Sequence, residues 1–172
     1  MSFVSQFAQL TDFLYLSSAF AITRERLLDF RITHIINCTL EAPSPNELEI
    51  KTTFLQIGDN PQSRLDEYFD KVADEINDVV MQGGNVLVHC LGGVSRSSTI
   101  CIAYLMKHKK MKLKEAHDFV KSKRRIIRPN IGFWEQLVNY ERKLFGSNTV
   151  NLIETSTGLI PDIYIDQTKN ML

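Results

Sequence analysis

The chain has 172 residues, 44% of them hydrophobic and 23% charged, enough for one well-buried core and too few for two comfortable ones. Twenty basic against twenty acidic side chains leave a formal charge of zero, so no global field draws the protein to nucleic acid or an anionic membrane. No apolar run reaches the length of a bilayer span, which excludes stable membrane insertion of a helix.

In chain order, the opening "MSFVSQFAQL" has neither a basic n-region nor an apolar h-region and reads as no secretory signal, while Ser2 excludes myristoylation. "FLYLSS" predicts a first strand around residues 14–16, and "ITRERLLDF" a short helix from about Thr23. The β-branched run "ITHIINCT" predicts an interior strand over 32–39, which makes its "NCT" glycosylation match a coincidence. "EAPSPNE" is a loop, and "TTFLQIG" a strand ending at Gly58. Over 63–81 apolar residues recur at helical spacing, with Asp66, Asp70, Asp74 and Asp78 on a solvated face. "QGGN" closes that helix with a left-handed glycine, and "NVLVH" is a short buried strand. Three helices follow, in "STICIAYLMKH", "MKLKEAHDFVKSKR" and "IGFWEQLVNYERKLF", the last stopping at Gly146. Strands separated by helices predict an α/β fold with a central, mostly parallel twisted sheet flanked by helices. Residues 1–172 form one domain, with 147–172 a surface extension held by Leu159, Ile160 and Tyr164.

The stretch "VLVHCLGGVSRSST" over 86–99 carries the chemistry. A buried strand feeding a glycine-rich loop and then a helix makes an anion site at the strand's carboxyl edge. Backbone N–H groups of Leu91, Gly92, Gly93, Val94 and Ser95 point inward, and the helix beginning near Ser97 adds its positive end. Arg96 closes the ring with a two-pronged guanidinium, so the fitting ligand is a tetrahedral dianion such as phosphate. Cys90 lies on the floor of that cradle, where amides, a helix terminus and a guanidinium favour a thiolate aimed at phosphorus. Arg96 and the amides then stabilise the equatorial oxygens in the transition state. The Ser97 hydroxyl can donate to the sulfur as it leaves.

Most lone cysteines are small buried hydrophobes, which is the reading taken for Cys101. An intact HCxxGxxRS run at a strand-to-helix junction reverses that for Cys90. Expelling an alkoxide or phenoxide needs a general acid. Asp59, in the loop after "LQIG" at the same sheet edge, is the candidate. His89 orients the loop by hydrogen bonding rather than transferring a proton. Three cysteines without CxxC spacing, and four scattered histidines, suggest neither a closed disulfide set nor a metal site, so no metal or other cofactor is expected and a reducing compartment is. The basic runs "KHKKMKLK" and "KSKRRIIR" read as solvated helix faces.

Together these residues resemble the cysteine-dependent protein tyrosine phosphatase superfamily, whose signature is HCxxGxxR[ST]. More narrowly, "CIAYLMK", "IIRPNIGFWEQLVNYERKLFG" and "GLIPDIY" resemble the small atypical dual-specificity phosphatases over about residues 14–164. The resemblance implies Cys90 as nucleophile, Arg96 as phosphate-binding arginine, Asp59 as general acid, Ser97 as assisting hydroxyl and Asn130 as a supporting residue beside the loop. It also implies a shallow cleft hydrolysing phosphotyrosine and phosphoserine/phosphothreonine monoesters through a phosphocysteine intermediate. Gly92 departs from the pattern, since similar proteins more often carry alanine there; it should loosen the loop slightly. Expected partners are phosphorylated proteins, kinases of a mitogen-activated cascade among them. Cytoplasm is the expected location, with the nucleus open. Two alternatives stay open at this point: a phosphatase acting on a non-protein phosphate ester, and a phosphate-reading adaptor without turnover.

Overall fold

The computed structural model describes residues 5–42, 48 and 50–165. Five strands form the main sheet in the order β1-β2-β5-β3-β4: β1 Phe7–Gln9, β2 Leu14–Ser18, β3 Ile32–Asn37, β4 Lys51–Phe54 and β5 Asn85–Cys90. β2, β5, β3 and β4 pair in parallel, and β1 joins β2 antiparallel. The fold is therefore the mostly parallel α/β arrangement expected. β1 itself was not foreseen, because three residues carry too little pattern to read.

Alternation along the strands divides the core. Leu14, Leu16, Val86 and Val88 face one side, where the larger cluster also holds Phe69, Ile76, Tyr104, Leu105 and Trp134. Tyr15, Ile35 and Leu87 face the other, beneath Leu27 of α1 (Arg24–Asp29). Thr23 caps α1 by accepting from the Arg26 N–H at 3.3 Å. The larger side is covered by α2 Phe69–Met81, α3 Arg96–Lys109, α4 Leu113–Lys123 and α5 Ile131–Phe145. α3 is buried from Arg96 through Met106, the expected core helix.

Several boundaries differ from the sequence reading. β3 stops at Asn37, whose buried carboxamide accepts from Thr39 and donates to the Ala42 carbonyl at 2.9 Å, bending the chain out of the sheet. β4 stops at Phe54 rather than reaching Gly58; Gln56 has φ +47 and turns the chain away. The helix expected over 63–81 begins as a 3-10 turn, Leu65–Tyr68, before α2. Its end is as expected: Gly83 has φ +81 and its N–H reaches the Val80 carbonyl, while Gly84 N–H reaches Val79. Most of the loop expected in "EAPSPNE", residues 43–47, lies outside the described residues.

Asp70 and Asp74 are not merely solvated. Asp70 accepts from Lys143 Nζ at 2.6 Å and Tyr140 Oη at 2.9 Å, and Asp74 from Lys107 and His108. Lys143, ahead of Lys107 and Tyr140, holds the Asp70 carboxyl well below its usual range despite burial. The terminal stretch also has more order than expected: β6 Leu152–Thr155 and β7 Gly158–Pro161 form an antiparallel hairpin, followed by buried Tyr164. Residues 166–172 of the expected extension lie outside the described residues.

Candidate active site

β5 ends at Cys90 and α3 begins at Arg96, so residues 91–95 form the connecting loop. Cys90 is 2% exposed. Its Sγ stands 3.0 Å from Ser97 Oγ and accepts from the Gly93 N–H at 3.2 Å. Ser97 belongs to the first turn of α3, so the sulfur also faces the positive end of that helix.

The loop is held from outside. Leu91 accepts through its carbonyl from Ala19 N–H at 3.1 Å, and Val94 from Arg128 N–H at 2.8 Å. Ser95 Oγ accepts from the Asn130 N–H at 3.0 Å, and the Ser95 carbonyl takes the hydroxyls of Ser98 and Thr99. Gly93 has φ +63, and a Cβ there would stand 2.6 Å from the Ser17 carbonyl carbon and oxygen. Glycine is thus required both by dihedral and by space. Gly92 has no such constraint, since a Cβ would meet only Val94 Cγ2 at 3.4 Å.

Arg96 is 3% exposed. Its Nη1 donates to the Ile57 carbonyl at 3.0 Å and to Glu41 Oε2 at 3.0 Å. Its Nε is buried and meets no protein partner among the described residues. One end of the guanidinium is therefore anchored while Nε is left for a ligand. The hydrogen bond from Arg96, foremost among its causes, holds the Glu41 carboxyl below its ordinary value.

Asp59 lies two residues beyond Ile57, in an exposed loop. Its Oδ1 accepts from Asn130 Nδ2 at 2.9 Å. Asn130 also caps α5, accepting from Phe133 N–H at 3.0 Å. One residue thus joins Ser95 of the 91–95 loop, the start of α5 and the Asp59 carboxylate. At Gly132 a Cβ would stand 2.0 Å from the Pro61 carbonyl oxygen, so α5 packs directly on the backbone of the Asp59 loop.

His89 is fully buried, and its ring nitrogens bond to no side chain among the described residues. Burial pushes its pKa down to about 4, with the Cys90 backbone opposing and Arg96 adding a smaller push. Its backbone carbonyl accepts from Cys38 N–H at 2.8 Å. Cys38 and Cys101 are buried, and burial pushes both thiols well above the usual range.

Two residues escaped the sequence reading. Glu41 sat in a stretch read only as polar loop, and nothing local marks it. Arg124 sat in "KSKRRIIR", read as solvated, yet it is 0% exposed. It donates through Nε to the Gly93 carbonyl at 2.7 Å, through Nη2 to Gly92 at 3.0 Å and through Nη1 to Gln6 at 2.9 Å. Its position at the end of a helix with Val120 and Ala116 on the buried face was the one available signal.

Comparison with known proteins places the chain in a family. Residues 14–143 match the family described as "Dual specificity phosphatase, catalytic domain". The chain is 45% identical to bovine dual specificity protein phosphatase 18 over 170 residues, covering 98% of this chain and 90% of that protein. It is 44% identical to bovine dual specificity protein phosphatase 14, covering 96% and 84% respectively. The crystal structure of human DUSP28 superposes with a TM-score of 0.78 at 32% identity, covering 80% of this chain and 94% of that one.

Proposed function

The chain belongs to the dual specificity phosphatase family, and from that membership we propose that Cys90, Arg96, Asp59 and Ser97 perform its phosphate-ester hydrolysis. The protein is a dual-specificity protein phosphatase, hydrolysing phosphotyrosine and phosphoserine/phosphothreonine monoesters through a phosphocysteine intermediate. The observation that carries the residue roles is the seat of Cys90: its sulfur lies between the Gly93 N–H at 3.2 Å and the Ser97 hydroxyl at 3.0 Å.

A phosphate ester entering the loop meets the inward amides of residues 91–95 and the Nε edge of Arg96. The Sγ of Cys90 attacks phosphorus while the ester oxygen departs, and Asp59 delivers the proton that oxygen needs. Amides and guanidinium bear the charge spread over the three equatorial oxygens. Asp59, now a carboxylate, removes a proton from water attacking the thiophosphate. The Ser97 hydroxyl donates to the departing sulfur. Leu91, Gly92, Gly93, Val94 and Ser95 bind phosphate through their backbones, and Asn130 steers Asp59.

Phosphorylated proteins are the substrates that the family implies, and kinases of a mitogen-activated cascade are the finer proposal. No helix among the described residues is long and apolar enough to cross a membrane. Cytoplasm is the proposed location, together with the nucleus. The test is turnover of a small aryl phosphate and of phosphopeptides without added metal. Cys90→Ser is expected to abolish it, and Asp59→Ala to lower it by about 10²–10⁴-fold on poor leaving groups. Full turnover by the serine variant would remove Cys90 from the mechanism.

A further inference from the structure

Beside the Asp59 loop lies a pocket of about 200 Å³ lined by Arg128, Asn130, Trp134, Leu159, Pro161 and Tyr164, among others. The terminal hairpin supplies one wall, from residues beyond the 14–143 matched to the family. The floor is aromatic: Tyr164, 4% exposed, meets Trp134 edge-on with ring centroids 5.6 Å apart. The Arg128 guanidinium lies over the Tyr164 ring, 4.9 Å from its centroid.

Among the described residues Arg128 is the only charged one lining this pocket. Among the described residues no carboxylate pairs with it. Lys121 is a second cation near Arg128, its pKa lowered first by burial and then by the Arg128 charge. Two residues of the pocket wall are bonded to the catalytic machinery. Arg128 N–H is bonded to the Val94 carbonyl of the phosphate loop at 2.8 Å, and Asn130, a shared wall, holds Asp59 at 2.9 Å.

We propose that this pocket is a substrate subsite that receives an acidic side chain close in sequence to the phosphorylated residue. A carboxylate there faces the Arg128 guanidinium, its methylenes lie against Leu159 and Pro161, and the bonds from Arg128 to the Val94 carbonyl and from Asn130 to Asp59 make the substrate protein the occupant. Arg128 is an exposed residue, so the pairing sorts substrates rather than anchoring them. This rests on the phosphatase reading above.

The test measures kcat/KM of the full chain on phosphopeptides carrying Glu, Gln or Lys at one position, scanned along both sides of the phosphoresidue. At one position Glu is expected to exceed Lys by about threefold to fivefold, the scale of an exposed ion pair, and added NaCl to shrink the ratio. Arg128→Glu is expected to reverse the ratio and Arg128→Lys to keep most of it. Because each ratio is taken within one variant, general damage to the enzyme cancels. A ratio of one at every position, or one unmoved by Arg128→Glu, overturns the subsite while Cys90-dependent turnover of an aryl phosphate leaves the enzyme reading standing. Absence of turnover on every ester removes both.

Discussion

The Arg124 guanidinium donates to the Gly92 carbonyl at 3.0 Å while the N–H of that same peptide unit, on Gly93, points at Cys90 Sγ at 3.2 Å. A trans peptide sets its C=O and N–H in opposite directions. Drawing the carbonyl outward therefore turns the amide inward. The second bond, from Nε to the Gly93 carbonyl at 2.7 Å, does the same for the next peptide. Arg124 is in this sense the positioning residue of the proposed anion cradle.

Arg124→Met is accordingly expected to leave the Gly92 and Gly93 carbonyls of the loop, and that of Gln6, without this donor and to lower kcat/KM on an aryl phosphate by about 10–100-fold, with weaker inhibition by inorganic phosphate. Arg124→Lys supplies one donor in place of a fork and should fall between. Unchanged phosphate inhibition in the methionine variant would show that the loop holds its shape alone.

Gly132→Ala forces a methyl to within 2.0 Å of the Pro61 carbonyl oxygen, so the Asp59 loop or the start of α5 must shift. Stability should fall by about 1–3 kcal/mol. The diagnostic readout is the leaving group. Turnover of a phosphoserine peptide, which depends on the acid, should drop more than turnover of an aryl phosphate with an acidic phenol. Equal losses would mean that Asp59 is not what moves.

The neighbouring loop glycines should behave oppositely. At Gly93, φ +63 and the 2.6 Å approach to Ser17 make Gly93→Ala severe, with loss of activity and of thermal stability. At Gly92 an added methyl meets only Val94 Cγ2 at 3.4 Å. Gly92→Ala is expected to keep full activity and to stabilise the fold by about 0.4–1 kcal/mol through the unfolded chain. Melting curves and aryl phosphate kinetics on the two variants test both statements.

Acid should weaken the fold well above the carboxylate range. The buried His89 has its pKa pushed down to about 4, below the ~6.5 of an unfolded histidine. Between those values the unfolded chain holds a proton that the fold excludes, so stability is present in full above pH ~6.5 and is lost toward pH 4. The loss amounts to about 2–3 kcal/mol, read from urea midpoints across that range. His89→Leu should flatten this part of the profile. At lower pH the depressed Asp70 titrates in turn and adds a further loss as its contacts to Lys143, Lys107 and Tyr140 go. A His89→Leu profile as steep as the parent's would assign the upper loss to another group.

Legibility followed locality. The parallel sheet, α2 with its glycine stop and the core helix α3 were readable because each carries its own period or cap within one segment. The hairpin Leu152–Pro161 was not, because its strands are only four residues each and only partly buried. The solvated reading of Asp70 failed for a different reason. Its face of α2 does look polar in isolation, and Lys143 arrives from a helix 73 positions away.

By itself the order of residues from Val86 to Thr99 determined the strand–loop–helix junction proposed as the anion cradle, since strand, glycine turn and helix start are contiguous and Cys90 and Ser97 are seven positions apart. What the tertiary structure alone decided is everything that aims and braces it. Glu41 against Arg96, Arg124 against Gly92 and Gly93, Asn130 against Asp59, and Gly132 against Pro61 are contacts across 31 to 71 positions. Such pairs have no spacing rule, because the distance between their side chains is set by how the helices pack on the sheet and not by the chain that links them.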